Sequence, residues 1–392
     1  MSEWKKVKLG EITESCLGKM LDAAKNRGEY KPYLANLNVR WGSFDTDKLS
    51  LMKFEEDEDE RYGIKYGDLI ICEGGEPGRC AIWKEEIPDM KIQKALHRVR
   101  PKKGLVDNFY LFYWFLLAGK RNWIDQYCTG ATIKHLPGQK LKEVVVDLPS
   151  FATQHRIAAI LSRYDSLIEN YQKQIKLLEE AAQRLYKEWF VDLRFPGHEN
   201  TKIVDGVPEG WEKKRLSDIS NIIMGQSPKS EFYNTDGNGL PFHQGVGSYG
   251  HRFVVDNTYS TSFTRIAEPN SILFSVRAPV GRLNITKNKI VIGRGLASIN
   301  HKMGCQSYLY YLLKEKFFKD NIIGNGAIFA SISKDELYNL AFIIPSDEMI
   351  KRYDAIVNKL DKDIQYVDSQ IRLLTEARDR LLPKLMSGEI NI

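Results

Sequence analysis

The sequence predicts an α+β protein in which two similar mixed domains alternate with two long helices, the helices pairing as an antiparallel coiled coil about an approximate two-fold axis. Three observations predict it. The chain repeats itself: displaced by 196 positions, residues 130–185 align with 326–381 without a gap, 18 of the 56 pairs being identical. Each repeat ends in a segment with apolar residues at alternating steps of four and three. Each begins with short β-rich runs punctuated by Gly, Pro and Asn.

The repeat places residues 1–150 and 201–345 as the two domains, 151–200 as a central helix and linker, and 346–392 as the C-terminal helix. Its matches include Gly130-Ala131 with Gly326-Ala327, Pro149-Ser150 with Pro345-Ser346, and Asp165 with Asp361. Upstream, Trp4, Leu9, Ile12 and Gly18 correspond to Trp211, Leu216, Ile219 and Gly225, and Gly78-Arg79 to Gly281-Arg282. A unit of half the chain excludes solenoids and propellers, whose repeats run ~20–50 residues. Within the domains, residues 68–72, 271–276 and 289–292 read as strands and 110–117 and 308–313 as helical patches.

The first long helix carries its seam at Ile157, Leu161, Tyr164, Ile168, Tyr171, Ile175, Leu178, Ala182, Leu185 and Trp189. The second carries Tyr353, Val357, Leu360, Ile364, Val367, Ile371, Leu374, Arg378 and Leu381. Five heptads of such spacing predict a coiled coil rather than a surface helix. Arg378, aligned with Ala182, is its one break; an arginine snorkelling at the seam's edge is favoured over a buried register-setting one. A linker at 191–210, with three glycines and two prolines, puts the second domain at the far end of the first helix, so the second helix runs back. Some 34 helical residues span roughly 50 Å, on the order of 15 base pairs of B-DNA. Two domains held at that separation form a caliper suited to a split DNA site.

Composition agrees. Of 392 residues 43% are hydrophobic, enough for sizeable cores, and the formal net charge is +6. No stretch approaches the ~20 apolar residues of a membrane span, and the opening MSEWKKVKLGEI lacks a signal peptide's apolar run. A cytoplasmic protein with no membrane partner is expected. Five scattered cysteines, never as CxxC, support neither a disulfide framework nor a zinc ribbon. Residues 201–345 carry +5; residues 1–150 carry +2, or +8 without the acidic run 55–60. The two helical segments are close to neutral. That distribution permits a polyanionic partner. The acidic run reads as a solvated loop facing away from DNA, ahead of a cation or basic-partner site.

The sequence offers no catalytic or metal site. Gly245-Val-Gly-Ser-Tyr-Gly250 matches GxGxxG, but Phe242-His243-Gln244 before it is not an apolar strand and residues 251–255 read as a strand, not a helix. GxxxxGK[ST] is absent, as is the Asn-Pro-Pro-aromatic motif of amino-methyltransferases. Pro88-Asp89 lacks the (D/E)xK partner of a nuclease. The seven histidines never fall at HxxxH.

DNA-contact candidates remain. Glu73-Gly-Gly-Glu-Pro-Gly-Arg79 and Arg277-Ala-Pro-Val-Gly-Arg282 set an arginine after a tight turn in both copies. Arg79, Arg277 and Arg282 suit a guanine edge or phosphate, or equally an ion pair within the domain. Arg40, Lys94 and Lys134 in the first copy, and Gln226, Lys229, Gln244, Arg252 and Arg294 in the second, are loop donors for base edges; Ser227 and Thr132 suit phosphates.

At the helix–linker junction, Leu185-Tyr-Lys-Glu-Trp-Phe-Val-Asp-Leu-Arg-Phe-Pro-Gly197 resembles the central region of specificity subunits of type I restriction-modification enzymes. Arg378-Asp-Arg-Leu-Leu-Pro-Lys-Leu-Met-Ser-Gly-Glu389 resembles that family's C-terminal region. Gly18-Lys-Met-Leu21, Asn38-Val-Arg-Trp-Gly42, residues 73–79 and Gly130-Ala-Thr-Ile-Lys-His-Leu136 are similar to one of its target-recognition domains. The resemblance implies that the chain performs no chemistry. Each domain is expected to read one half of a bipartite, asymmetric site in double-stranded DNA. The coiled coil is expected to set the gap and carry two modification subunits, which bind S-adenosylmethionine and methylate adenine. Restriction subunits add ATP and Mg²⁺-dependent translocation and cleavage, so no cofactor is expected on this chain. The domains differ most at 20–65 against 228–265, so the half-sites should differ. A stand-alone DNA-binding or coiled-coil regulator built from the same module is the alternative.

Overall fold

Neither amphipathic segment contains an interior glycine, and each forms one unbroken helix of 40 residues in the computed structural model, which describes residues 4–22, 26–318 and 331–392. The repeat pair Gly326-Ala327 lies outside them. We label the four principal helices α1 (Asn108–Lys120), α2 (Phe151–Phe190), α3 (Gln306–Phe318) and α4 (Asp347–Met386). Matched serines start the long pair: Ser150 Oγ accepts from Thr153 N at 3.2 Å and Ser346 Oγ from Met349 N at 3.4 Å, satisfying orphan donors of the first turn. Asp347 and Glu348 add favourable charge at that end of α4. Pro383 is tolerated in α4 one turn before its end, and Gly388, at φ +73°, turns the chain out of the helix.

The chain divides into two compact units, residues 1–170 with 370–392, and residues 171–369. Each takes half of both long helices, a division that contiguous sequence domains do not express. In unit 1 a four-stranded antiparallel sheet runs in the order Thr13–Leu17, Leu96–Pro101, Leu69–Cys72, Cys80–Ile82. In unit 2 the order is Ser220–Met224, Leu296–His301, Ile272–Ser275, Leu283–Ile285. Topology repeats as the sequence does. In each unit a further two-stranded ladder ties the domain's start to its end: Lys5–Lys8 with Val145–Leu148, and Glu212–Arg215 with Ala341–Ile344. The units differ in their accessory sheets. Among the described residues, the larger accessory sheet of unit 1 has three strands (Glu29–Leu34, Ser50–Phe54, Lys91–Ile92), whereas that of unit 2 has five short ones, including Leu240–His243 and Ile290–Ile292. These fall largely in the segments of lowest repeat similarity.

Helix α1 is apolar nearly all round, and α3 over residues 308–313, because both are sandwiched. Tyr110, Leu111, Tyr113 and Phe115 are buried in one core with Ile157, Leu161, Leu382 and Leu385; Tyr308, Leu309 and Tyr311 in the other with Ala182, Trp189, Tyr353 and Val357. Each such side chain stabilises its unit by ~1.5–3 kcal/mol.

Within each unit the long-helix halves pair antiparallel. In unit 1 Asp165 meets Arg378, while Thr153 and Ile157 share a cavity wall with Pro383 and Leu385. In unit 2 the Tyr353 ring packs on Trp189 and Phe190, and Arg252 bridges Glu179 to Asp361 farther along. Of the predicted seam, Ile157, Leu161, Ile168, Ile175, Ala182, Trp189, Tyr353, Val357, Ile364 and Val367 are buried. Tyr164, Leu178, Leu185, Leu360, Ile371, Leu374 and Leu381 are half-buried. Tyr186 replaces Leu185 as the buried residue, and Leu382 and Leu385 replace Leu381. A strict 3.5-residue repeat drifts ~20° per heptad on a 3.6-residue helix, and near its ends each helix also feeds a domain core. Arg378 corrects the snorkelling reading: only 18% of its side chain is exposed, and Nη1 lies 2.6 Å from Asp165 Oδ1.

Candidate nucleic-acid interface

Both main sheets end in the same crossing. Where the first strand leaves the sheet, Gly18 N donates to Leu96 O (3.0 Å) and Lys19 N to Ile92 O (3.0 Å); in unit 2 Gly225 N donates to Leu296 O (2.9 Å) and Gln226 N to Ile292 O (2.9 Å). A Cβ at Gly18 would lie 2.4 Å from Gln93 O, and one at Gly225 2.2 Å from Gly293 O, so only glycine fits. Across this contact lie matched loops that place exposed Lys94 in one unit and exposed Arg294 in the other.

Unit 2 gathers four of its candidates at this edge. Ser227 Oγ donates to Gln244 Oε1 at 2.8 Å and accepts from Arg294 N at 3.2 Å; Gln226 O accepts from Thr264 Oγ1 at 2.5 Å; Gly295 N donates to Gln244 O at 3.2 Å. Gln226, Gln244 and Arg294 are exposed. Amide and guanidinium side chains on a rigid strand end match base edges in a major groove, and lysine or arginine matches phosphate. Lys229, two residues along, is 81% exposed.

A histidine network absent from the sequence reading braces the edge. His243 Nδ1 lies 2.7 Å from Ser248 Oγ, and its Nε2 3.0 Å from Asp256 Oδ1. Burial raises the Asp256 carboxyl's pKa, but the hydrogen bonds from His243 and Asn288 outweigh it and leave the pKa lowered. Ser, His and Asp here do not make a nucleophile: His243 is wholly buried and Ser248 Oγ also donates to Gly245 O at 3.2 Å, closing the loop. The GxGxxG context is corrected in two respects. Leu240–His243 is a strand, and residues 251–255 form no strand, only bridges from Val254 to Tyr249 and from Phe253 to Ile285. The loop holds a single 3-10 turn, Val246–Ser248, where a dinucleotide fold needs a helix N-terminus.

In unit 1 the acidic run is more than a solvated loop. Glu58 pairs at 2.5 Å with Lys19, whose amine also donates to Lys53 O at 2.9 Å, and Asp59 pairs at 2.8 Å with Lys91; both lysine side chains are only 4% exposed. Buried ammonium groups need such counter-charges. Arg79 also turns inward, donating to Asn36 Oδ1 at 2.7 Å and pairing with Glu76 at 3.2 Å. Lys134 pairs with Asp125 at 2.6 Å and Arg40 with Asp45 at 3.5 Å; both remain about half exposed, and Thr132 is exposed. Arg277 and Arg282 are exposed on the corresponding turn of unit 2, where Ser275 Oγ accepts from Arg282 N at 2.8 Å.

Arg252 is a correction. Its side chain is 1% exposed; Nη1 donates to Glu179 Oε1 and Tyr311 Oη, each at 3.1 Å, and Nη2 pairs with Asp361. With Nη1 and Nη2 held by residues of α2, α3 and α4, and the side chain buried, it is not offered to DNA.

Among the described residues, no group of three or more His, Cys, Asp and Glu is placed to hold a metal ion, and no helix is long and apolar enough to cross a membrane.

Comparison with known proteins accounts for the duplication. The family described as "Type I restriction modification DNA specificity domain" matches residues 1–180 and again 208–373. A putative type I restriction enzyme MjaX specificity subunit of Methanocaldococcus jannaschii is 29% identical over 412 residues, covering 99% of this chain and 97% of the relative. The MjaIX specificity subunit of the same organism is 29% identical over 342 residues, 83% of this chain and 78% of the relative. Among solved structures, the type I restriction-modification S subunit from M. genitalium superposes with a TM-score of 0.58 at 18% identity, covering 98% of this chain and 96% of that one, a likeness of fold.

Proposed function

This chain belongs to the type I restriction-modification DNA specificity family, and from that membership we propose how it works: as the subunit that gives such a complex its DNA sequence. Each unit reads one half of a bipartite, asymmetric site in double-stranded DNA. The observation that carries this is the matched sheet edge, built twice on an obligatory glycine, with Lys94 in one copy and Gln226, Gln244 and Arg294 in the other. Equal scaffolds with unequal side chains are what two different half-sites require.

The chain itself carries out no chemistry. It works in the cytoplasm, and its helix pair sets the gap and docks two modification subunits that bring S-adenosylmethionine and methylate adenine. Restriction subunits supply ATP and Mg²⁺-dependent steps. Buried seam residues hold the helices together, and Leu177 and Leu373, equivalent in the repeat and 65% and 49% exposed, offer apolar surface to those partners. Arg40, Lys134, Lys229, Arg277 and Arg282 contribute phosphate contacts around the two edges.

Co-expression with a type I modification subunit, followed by mapping of methylated adenines, tests the proposal. A stable complex that methylates one split sequence is expected. No complex, or a complex without sequence preference, overturns it in favour of a stand-alone DNA-binding regulator.

A further inference from the structure

Each unit holds its domain against the helix pair with a buried polar contact, built differently in the two copies. Tyr113 and Tyr311 are both the sixth residue of their helices, α1 and α3. Tyr113 Oη donates to Asp165 Oδ2 at 2.5 Å, and Tyr311 Oη to Asp361 Oδ1 at 3.4 Å, the aspartates being equivalent in the repeat. In unit 1 the balancing cation is Arg378, which comes from the other long helix. In unit 2 that position is Ala182, and the cation comes from the domain itself as Arg252.

The substitution changes what the contact does. Arg378–Asp165 joins helix to helix, whereas Arg252 joins the domain to both helices, pairing with Glu179 on α2 and Asp361 on α4. Its guanidinium also lies 4.3 Å from the Tyr310 ring centroid, a stacked, forked geometry that lysine cannot reproduce. Glu179 is eleven residues from the end of α2, about 16 Å of helix, and Asp361 fourteen from the start of α4, about 21 Å. The domain joins the helices covalently at those ends. A second attachment that far along removes the freedom to pivot. Lys287, paired with Asp368 and 4.8 Å from the Phe253 ring centroid, extends the same line. Arg252 also lies eight residues beyond Gln244, at the exit of the loop that His243 braces, so the anchored segment leads back through that loop to the reading edge.

We infer that Arg252, held by Glu179, Asp361 and Tyr311, is a positioning residue that fixes the angle at which the second domain is carried on the helix pair, and so the gap at which its half-site is accepted. The inference rests on the specificity reading above. It differs from a purely structural role in predicting that gap preference and base preference separate.

The test replaces the whole charged set, Arg252→Met and Lys314→Met with Glu179→Gln and Asp361→Asn, because Lys314 shares the same two carboxylates and none of the four charges should be left unpaired. The variant is assembled with modification subunits and assayed on duplexes whose two half-sites are the native gap apart, or one base pair nearer or farther. The preference for the native gap should fall roughly tenfold, within the range of couplings seen in one ion-pair network, with the bases required in each half-site unchanged. Spin labels at exposed Lys289 and Lys359, both in unit 2, should show a broader distance distribution than in the unsubstituted chain. Unaltered gap preference in a folded variant, or an unaltered label distribution, overturns the inference. Failure of the specificity reading appears separately, as absence of sequence preference in the unsubstituted complex.

Discussion

Truncating Arg378 should weaken unit 1 by about 2 kcal/mol. Removing one partner of a fully buried ion pair costs ~3–5 kcal/mol, because the other charge stays behind in a poorly solvated place. Here Arg378 and Asp165 keep 18% and 20% side-chain exposure, so water screens part of the loss, and Tyr113 still donates to the carboxylate at 2.5 Å. Halving the buried figure gives ~2 kcal/mol for Arg378→Ala. In a unit of about 190 residues that lowers the melting temperature by ~4–8 °C. Arg378→Met with Asp165→Asn removes both charges and should stay within ~1 kcal/mol of the native protein. The assay is a double-mutant cycle in urea, followed by tryptophan fluorescence; Trp4, Trp41, Trp83, Trp114 and Trp123 all lie in unit 1. A loss below ~0.5 kcal/mol for Arg378→Ala, or single losses that simply add in the double variant, would refute the reasoning.

Three further outcomes follow from the structure. Gly225→Ala drives a Cβ against Gly293 O and should abolish recognition of the second half-site while the first is still bound, read as methylation of one half-site substrate set and not the other; an unchanged pattern would contradict the reading edge. Lys94→Ala and Arg294→Ala should each weaken DNA binding and, where they meet phosphate, reduce the slope of log K against log salt by ~0.9, measured by fluorescence anisotropy; equal weakening at both half-sites by one variant would count against their assignment to separate units. Burial holds the His97 and His301 rings below the usual histidine range, so the unfolded chain takes up their protons first. The stability they carry is complete above about pH 6.5 and is lost as pH falls from there through the folded values. Replacing both by Gln should flatten the fall of the urea midpoint between pH 7 and 5, and an unaltered slope would exclude them as its source.

The duplication, the long helices and their heptad seam were legible because they rest on local periodicity, and the glycine of each crossing because the repeat aligned Gly18 with Gly225. Individual contacts were not. Arg252 in a glycine-rich loop looks like any DNA-facing arginine until the fold brings Glu179 and Asp361, 73 and 109 residues away, to its two amino groups. The acidic run at 55–60 hid its role for the same reason: its partners lie far off in sequence, Lys19 just past the strand Thr13–Leu17 and Lys91 in the strand Lys91–Ile92. Arg79 and Arg282 align in sequence, yet one is folded onto Asn36 and the other exposed, a distinction set by the accessory segments in which the repeats diverge. The His243 network escaped notice because His, Ser and Asp at intervals of five and eight have no periodic signature.

The division of each long helix between two units also bears on how the chain is made. Unit 2 is a single contiguous stretch, 171–369, and has every residue it needs once that stretch leaves the ribosome. Unit 1 is discontinuous: its core includes Leu382, Leu385 and Met386, so until residues 370–392 emerge that core lacks these side chains. The N-terminal half therefore waits, incomplete, through the synthesis of its twin, and the order of birth is the reverse of the order of completion.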